Sequence, residues 1–292
     1  MLESFTMYKL IFAIFIRIVA NPLGNVFQKK LSQEGVSSLV INFMSFFLLS
    51  LVCIFASFGV GWHGFSAELW GNAVIASLLG VIGCNLIIKA IQMGELSVLG
   101  PVNSYKSIVG MVAGIFLLGE MPSSAGVLGM ILIIAGSYFV FETQEEKFSL
   151  KIFLRKDILC RLMALVFSAV EAVFIKKVII LSSVVAAFSL WCWFGALFSF
   201  VILLFSGKEK YSQLKKPDFG LYLPLVLCIG AMQFSTTYVF QKMNVGYSLA
   251  LFQLSTLITV FLGYKIFHEK DIFKKLVGTI IMIAGAVIII LT

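Results

Sequence analysis

Ten stretches of this 292-residue chain are apolar for long enough to cross the ~30 Å hydrocarbon core of a bilayer, at about 1.5 Å of helix rise per residue. They run over residues 8–28, 36–58, 68–91, 97–118, 123–141, 158–181, 183–206, 220–242, 248–267 and 273–292. At that length each stretch matches a membrane-spanning helix, which needs about 20 apolar residues. The expectation is an all-α membrane protein with ten transmembrane helices. Composition agrees: 60% of residues are hydrophobic, 12% are charged and the mean hydropathy is +1.05, against roughly 25% charged in soluble domains. No cleavable leader is expected, since the seven residues before the first stretch hold no basic region and no small-residue cleavage site follows it.

Polar residues interrupt the first stretch in a pattern. Arg17 lies at its midpoint, followed by Asn21, Asn25 and Gln28. With ~3.6 residues per turn, these four side chains form one stripe along a helix. An arginine at bilayer depth costs about 2.5 kcal/mol or more and is kept facing a bundle interior or a watery cavity. The stripe therefore points to an enclosed polar pathway; the plainer reading is an arginine tied to carbonyls of a neighbouring helix.

The chain also repeats itself. Two connections are polar and of real length, Glu142 to Arg161 and Gly207 to Asp218, and the first divides the spans into two sets of five. Val26-Phe27-Gln28-Lys29-Lys30 closes the first span and Val173-Phe174-Ile175-Lys176-Lys177 the sixth. Serine pairs follow each, Ser37-Ser38 and Ser182-Ser183. Gly119-Glu120 and His268-Glu269 occupy matching turns, and the last spans carry glycines at equal offsets, Gly129 and Gly136 against Gly278 and Gly285. Four blocks in the same order argue for duplication. Five is odd, so the second copy must lie inverted across the membrane, an arrangement many secondary transporters use to build a midplane site.

These residues resemble the drug/metabolite transporter superfamily, in its EamA-like transporter family. The fourth stretch, Ser97 to Glu120, is similar to that family's proline-bearing helix with its terminal Gly-Glu, and the resemblance covers nearly the whole chain. It implies two EamA-like five-helix repeats, residues 1–145 and 146–292, and transport rather than catalysis. Two departures bear on the cargo. Pro22-Leu23 stands where the family's first span has Trp-Gly, although Asn25 and Lys30 match its Asn and Lys. The arginine common in the second span is absent, and Asn42 is the nearest polar residue.

Further polar residues fall inside spans. Lys106 sits near the middle of the fourth, beside Asn103 and Tyr105 and after Pro101, too deep to reach either interface easily. Lys89 lies near the end of the third, where snorkelling competes with cavity lining. Glu171 is the single acid well inside a span: either an internal partner of Arg17 or Lys106, or a carboxylate that couples transport to protons. Gln233, Thr236, Thr237 and Gln241 line one side of the eighth span, and Gln253, Thr256 and Thr259 one side of the ninth. Buried glutamine amides are the more informative, because an unpaired amide in hydrocarbon costs several kcal/mol. The substrate-binding candidates are thus Arg17, Asn21, Asn25, Asn103, Lys106, Gln233 and Gln253, with Glu171 as the proton-coupling candidate.

Other chemistries find no support. His63 and His268 lie in short loops, the cysteines Cys53, Cys84, Cys160, Cys192 and Cys228 are scattered singly, and there is no phosphate-binding glycine loop. No cofactor or metal is expected. The expected partners are a small-molecule substrate and membrane lipid, with no nucleic acid, in a monomer or homodimer of the inner or plasma membrane. The interior is net positive, so the expected cargo is a small anionic or zwitterionic metabolite moved by alternating access, with Arg17 gripping its carboxylate or phosphate. The alternative is a flippase for an amphiphile or lipid-linked sugar. Fifteen Lys/Arg fall in the odd-numbered connections and four, Lys9, Lys176, Lys177 and Lys242, on the other side. Cytoplasmic loops carry the excess, which places both termini outside, whereas the resembled family keeps them in the cytoplasm.

Overall fold

A computed structural model defines residues 2–94, 96, 99, 102–141, 155–207, 218–267 and 272–290. All regular structure among these is helical: α1 Leu2–Gln33, α2 Ser38–Ala56, α3 Ala67–Met93, α4 Lys106–Leu118, α5 Ser124–Phe141, α6 Lys156–Leu181, α7 Val184–Leu204, α8 Phe219–Lys242, α9 Val245–Phe252, α10 Ser255–Phe267 and α11 Ile272–Ile290. Seven segments are long and apolar enough to cross a membrane, with α9 and α10 together forming one of them, Val245–Phe267. Lys106–Leu118 and Ser124–Gly136 are shorter apolar helices. Pro101, His268 and Glu269 lie outside the described residues, as do most of the two polar loops.

Local chemistry sets several ends. Ser66 accepts from Leu69 N at the start of α3, and Ser183 accepts from Ala186 N at the start of α7. Asp218 accepts from Gly220 N before α8. Each satisfies one of the orphan amides of a first turn. α4 ends at Gly119, whose φ of 69° is left-handed. Its N–H and that of Glu120 return to the carbonyls of Ile115 and Gly114, which is why glycine precedes the glutamate there.

Two elements differ from the expected continuous spans. Within the fourth stretch a 3-10 turn, Asn103–Tyr105, precedes α4, so Lys106 stands at the first residue of a helix. The ninth is broken at Gln253 and Leu254, between α9 and α10. The first helix runs longer than expected, through Pro22. Lys89 is exposed on α3, so it does not line the interior. Arg161, counted above with a loop, lies in α6 and is buried. Removing it leaves fourteen Lys/Arg against four, and the charge bias stands.

Packing pairs the helices across the two halves. α1 runs against α8 and α3 against α6; α2 packs on α7, α5 on α11 and α4 on α9. Exchanging the first five spans for the last five turns the first two contacts into one another and leaves the other three unchanged. The α5–α11 contact is reciprocal in detail. A Cβ at Gly136 would meet Gly278 O at 2.5 Å, and one at Gly285 would meet Gly129 O at 2.4 Å, so the two backbones touch, as small residues allow between membrane helices. Large apolar side chains such as Phe116 and Phe205 are 83% and 87% exposed, as lipid-facing positions would be.

Candidate functional site

The helix breaks meet. Asn103, in the 3-10 turn before α4, donates through Nδ2 to Gln253 Oε1 at 3.1 Å, and Gln253 Nε2 donates to Leu249 O at 2.9 Å. Both hydrogen-bonding ends of the Gln253 amide are thereby engaged. Beside this junction lies a narrow cavity of about 10 Å³, lined by Asn21, Asn25, Asn103, Arg161, Ser255, Thr256 and Thr259 together with Ile91, Leu96 and Leu99. Asn21 Nδ2 donates to Ser255 Oγ at 3.3 Å, which ties the α1 stripe to the first residue of α10. The polar stripe read from the first span thus does face an internal cavity at Asn21 and Asn25.

Arg17 lies one turn away and does not line that cavity. Its Nε donates to Thr236 Oγ1 at 2.8 Å, and its guanidinium carbon sits 4.9 Å from the centroid of the Phe252 ring. Its Nη1 is buried without a hydrogen-bond partner. Thr236 passes its own proton to Met232 O, which leaves its oxygen free to accept from Arg17. Arg161 is 6% exposed and donates through Nε to Leu99 O at 3.2 Å.

Glu171 forms a separate corner. Its Oε1 accepts from Trp191 Nε1 at 2.6 Å, and a Cβ at Gly80 would meet that oxygen at 2.6 Å. α3 can pass only because residue 80 has no side chain. Trp191 packs on Phe46, ring centroids 4.5 Å apart, and walls a second cavity of about 20 Å³ with Gln28, Asn42, Ser45 and Cys84. Among the described residues Glu171 has no ion pair with Arg17 or Lys106; its hydrogen bond goes to an indole. The Lys106 charge nonetheless interacts with those of Glu171, Arg17 and Arg161. Of the three cations, Lys106 is the one whose charge reaches Glu171.

Of the remaining candidates, Gln233 is buried on α8, where its carbonyl accepts from Thr237 Oγ1, and it lines neither cavity. Thr256 and Thr259 line the first. Arg161 and Trp191 were not read from the sequence as site residues. A signal existed for the first: Arg161, Ser168 and Glu171 lie at roughly helical spacing on α6 and are all buried, a second polar stripe that mirrors the one on α1. The cysteines are free thiols, and no group of His, Cys, Asp or Glu among the described residues could hold a metal ion.

At one end of the bundle a third polar cluster joins the halves. Lys176 Nζ donates to Glu120 Oε1 and to Met243 O, the latter at 2.7 Å. Glu120 Oε2 accepts from Val245 N at 2.7 Å, capping the first turn of α9, where a negative charge is favoured. The Gly-Glu turn recognised by its repetition thus closes one helix and starts another.

Long apolar helices and broken segments that meet inside the bundle mark a multi-pass membrane protein. The sequence model of the EamA-like transporter family matches this chain twice, over residues 5–142 and 155–291. The chain belongs to the EamA-like transporter family, and with it to the drug/metabolite type of membrane transporter. A solved crystal structure of a protein shares the fold, with a TM-score of 0.73 at 15% identity over 96% of this chain and 95% of the other. Among curated proteins none matches.

Proposed function

We propose that this protein is a secondary transporter that moves a small anionic or zwitterionic metabolite, such as an amino acid, an organic acid or a phosphorylated compound, by alternating access. The observation that carries the reading is the charge of the interior. Arg17, Lys106 and Arg161 lie within the spans, Glu171 is the one acid near them that no cation pairs with among the described residues, and Arg161 lines the cavity where two broken helices meet. Buried unpaired charge is unfavourable by several kcal/mol, and a bound anion offsets it.

The frame we propose is ten spans in two inverted five-helix repeats, residues 1–145 and 146–292, rocking against each other in an inner or plasma membrane. The exchange of helix contacts between halves supports it.

Screening metabolites for thermal stabilisation of purified protein tests the cargo class, followed by uptake into proteoliposomes. Arg17→Gln and Lys106→Gln should each weaken binding of the anion that stabilises the wild type. Normal transport by both variants removes the anionic reading. Glu171 is the proposed proton-coupling group. Glu171→Gln keeps an oxygen for Trp191 but carries no charge, so substrate exchange should persist while a proton gradient no longer drives accumulation.

A further inference from the structure

We infer that Arg161, on α6, is the residue that grips the cargo's oxyanion, while Arg17 contributes only its field. The inference rests on the transporter reading above and sharpens it to one side chain.

A guanidinium has five N–H donors. An arginine serving only structure inside a membrane directs them at backbone carbonyls or carboxylates. Arg161 uses its Nε–H, on Leu99 O. No hydrogen bond among the described residues occupies either terminal nitrogen, and no described carboxylate pairs with it. Asp157, one turn earlier, is held by Arg155 instead. The side chain is nonetheless 94% buried by difference from its 6% exposure, and the space it meets is the polar cavity. The Nε contact orients the plane and leaves the fork open, which matches the two oxygens of a carboxylate or phosphate.

The rest of the cavity adds detail. Asn21 and Asn103 give their amide N–H groups to Ser255 and Gln253, so their carbonyl oxygens remain as acceptors. The Asn25 amide makes no hydrogen bond among the described residues and lines the same wall. The ligand is therefore a small oxyanion that also bears a hydrogen-bond donor. Arg17 lacks such access: Thr236 and Phe252 flank it, and its Nη1 has no exposed surface.

The test separates charge from grip. Binding of glycerate, succinate and glycerol phosphate, with glycerol as the uncharged control, is measured on wild type, Arg161→Lys, Arg161→Gln and Arg17→Lys. Lysine keeps the charge and loses the fork. Arg161→Lys should weaken the best oxyanion by ~10-fold or more, since a bidentate grip becomes a single point, whereas Arg17→Lys should stay within about threefold. The relative response to the carboxylates and to glycerol phosphate shows which oxyanion fits. In wild type, bound ligand should shield Arg161 from butanedione modification mapped by mass spectrometry, and this readout does not depend on a variant folding. Wild-type affinity in Arg161→Lys, loss in Arg17→Lys alone, or an Arg161 equally reactive with ligand bound overturns the inference and leaves the transporter reading standing. If wild type prefers glycerol to every charged probe, the anionic cargo falls with it.

Discussion

Asn103 and Gln253, separated by 150 positions, share one amide–amide hydrogen bond at 3.1 Å, and each stands at the break of its own span. A broken membrane helix frees backbone groups that must be satisfied by neighbours or by a water-lined cavity. Here the two discontinuities face one another, so each supplies part of the polar surroundings of the other. Asn103→Leu or Gln253→Leu should cost about 1–3 kcal/mol, because the surviving amide is left buried without its partner. The double variant should lose less than the sum, by roughly 0.5 kcal/mol or more in a double-mutant cycle of detergent unfolding. Strict additivity would show that the two amides do not support each other.

Glu120 serves two partners, the Lys176 ammonium and the Val245 amide. The ion-pair side chains are only 12% and 13% exposed. Glu120→Ala should therefore destabilise strongly, by about 3 kcal/mol. Glu120→Gln should cost less, since its amide oxygen still accepts from Val245. Reversing the charges with Glu120→Lys and Lys176→Glu should restore little, because the α9 amide would then face a cation. Melting temperatures that rank alanine and glutamine equally would refute a separate capping role.

Glycine spacing in α5 and α11 makes a packing prediction with its own control. Gly136→Ala and Gly285→Ala each drive a Cβ to within 2.5 Å and 2.4 Å of a facing backbone carbonyl. A backbone cannot yield as a side-chain tip can, so each should cost about 1–3 kcal/mol. Gly71→Ala, on α3 with nothing within 4 Å of the added carbon, should be neutral or stabilise slightly, as alanine does in a helix. Thermal shift of the three purified variants reads the difference.

Orientation is set by the loops. With Arg161 assigned to the bundle, fourteen Lys/Arg remain in the odd-numbered connections against four on the other side. This excess should hold the odd connections in the cytoplasm and both termini outside. A C-terminal fluorescent protein that matures only in the cytosol should stay dark, and a periplasmic-active phosphatase at the same position should work. Bright fluorescence reverses the assignment.

Much of this protein was legible in one dimension. Apolar run length reports the cost of backbone in hydrocarbon, which is a local property, so the helical class and most span positions could be read directly. Repetition of Lys29-Lys30 as Lys176-Lys177, and of paired glycines, exposed the two halves without any knowledge of contacts. Asn21 and Asn25 on α1 share a face because helical periodicity alone puts polar residues on one side, and that face lines a cavity. Arg161 was missed for a matching reason: near the end of a span, a cation looks the same whether it snorkels to the interface or turns inward. Only the approach of Leu99 and the walls from α1 and α10 decide between them. Tertiary structure also decided that Glu171 meets Trp191 rather than a cation, that Lys176 meets Glu120, and that α9 stops at Gln253, where no proline or glycine marks a break. Each of these depends on which faces of distant helices lie opposite one another. Hydrophobicity fixes how deep a residue sits, but the polar partner it meets at that depth lies on another segment of the chain, 20 to 62 positions away for Glu171, Lys176 and Arg161.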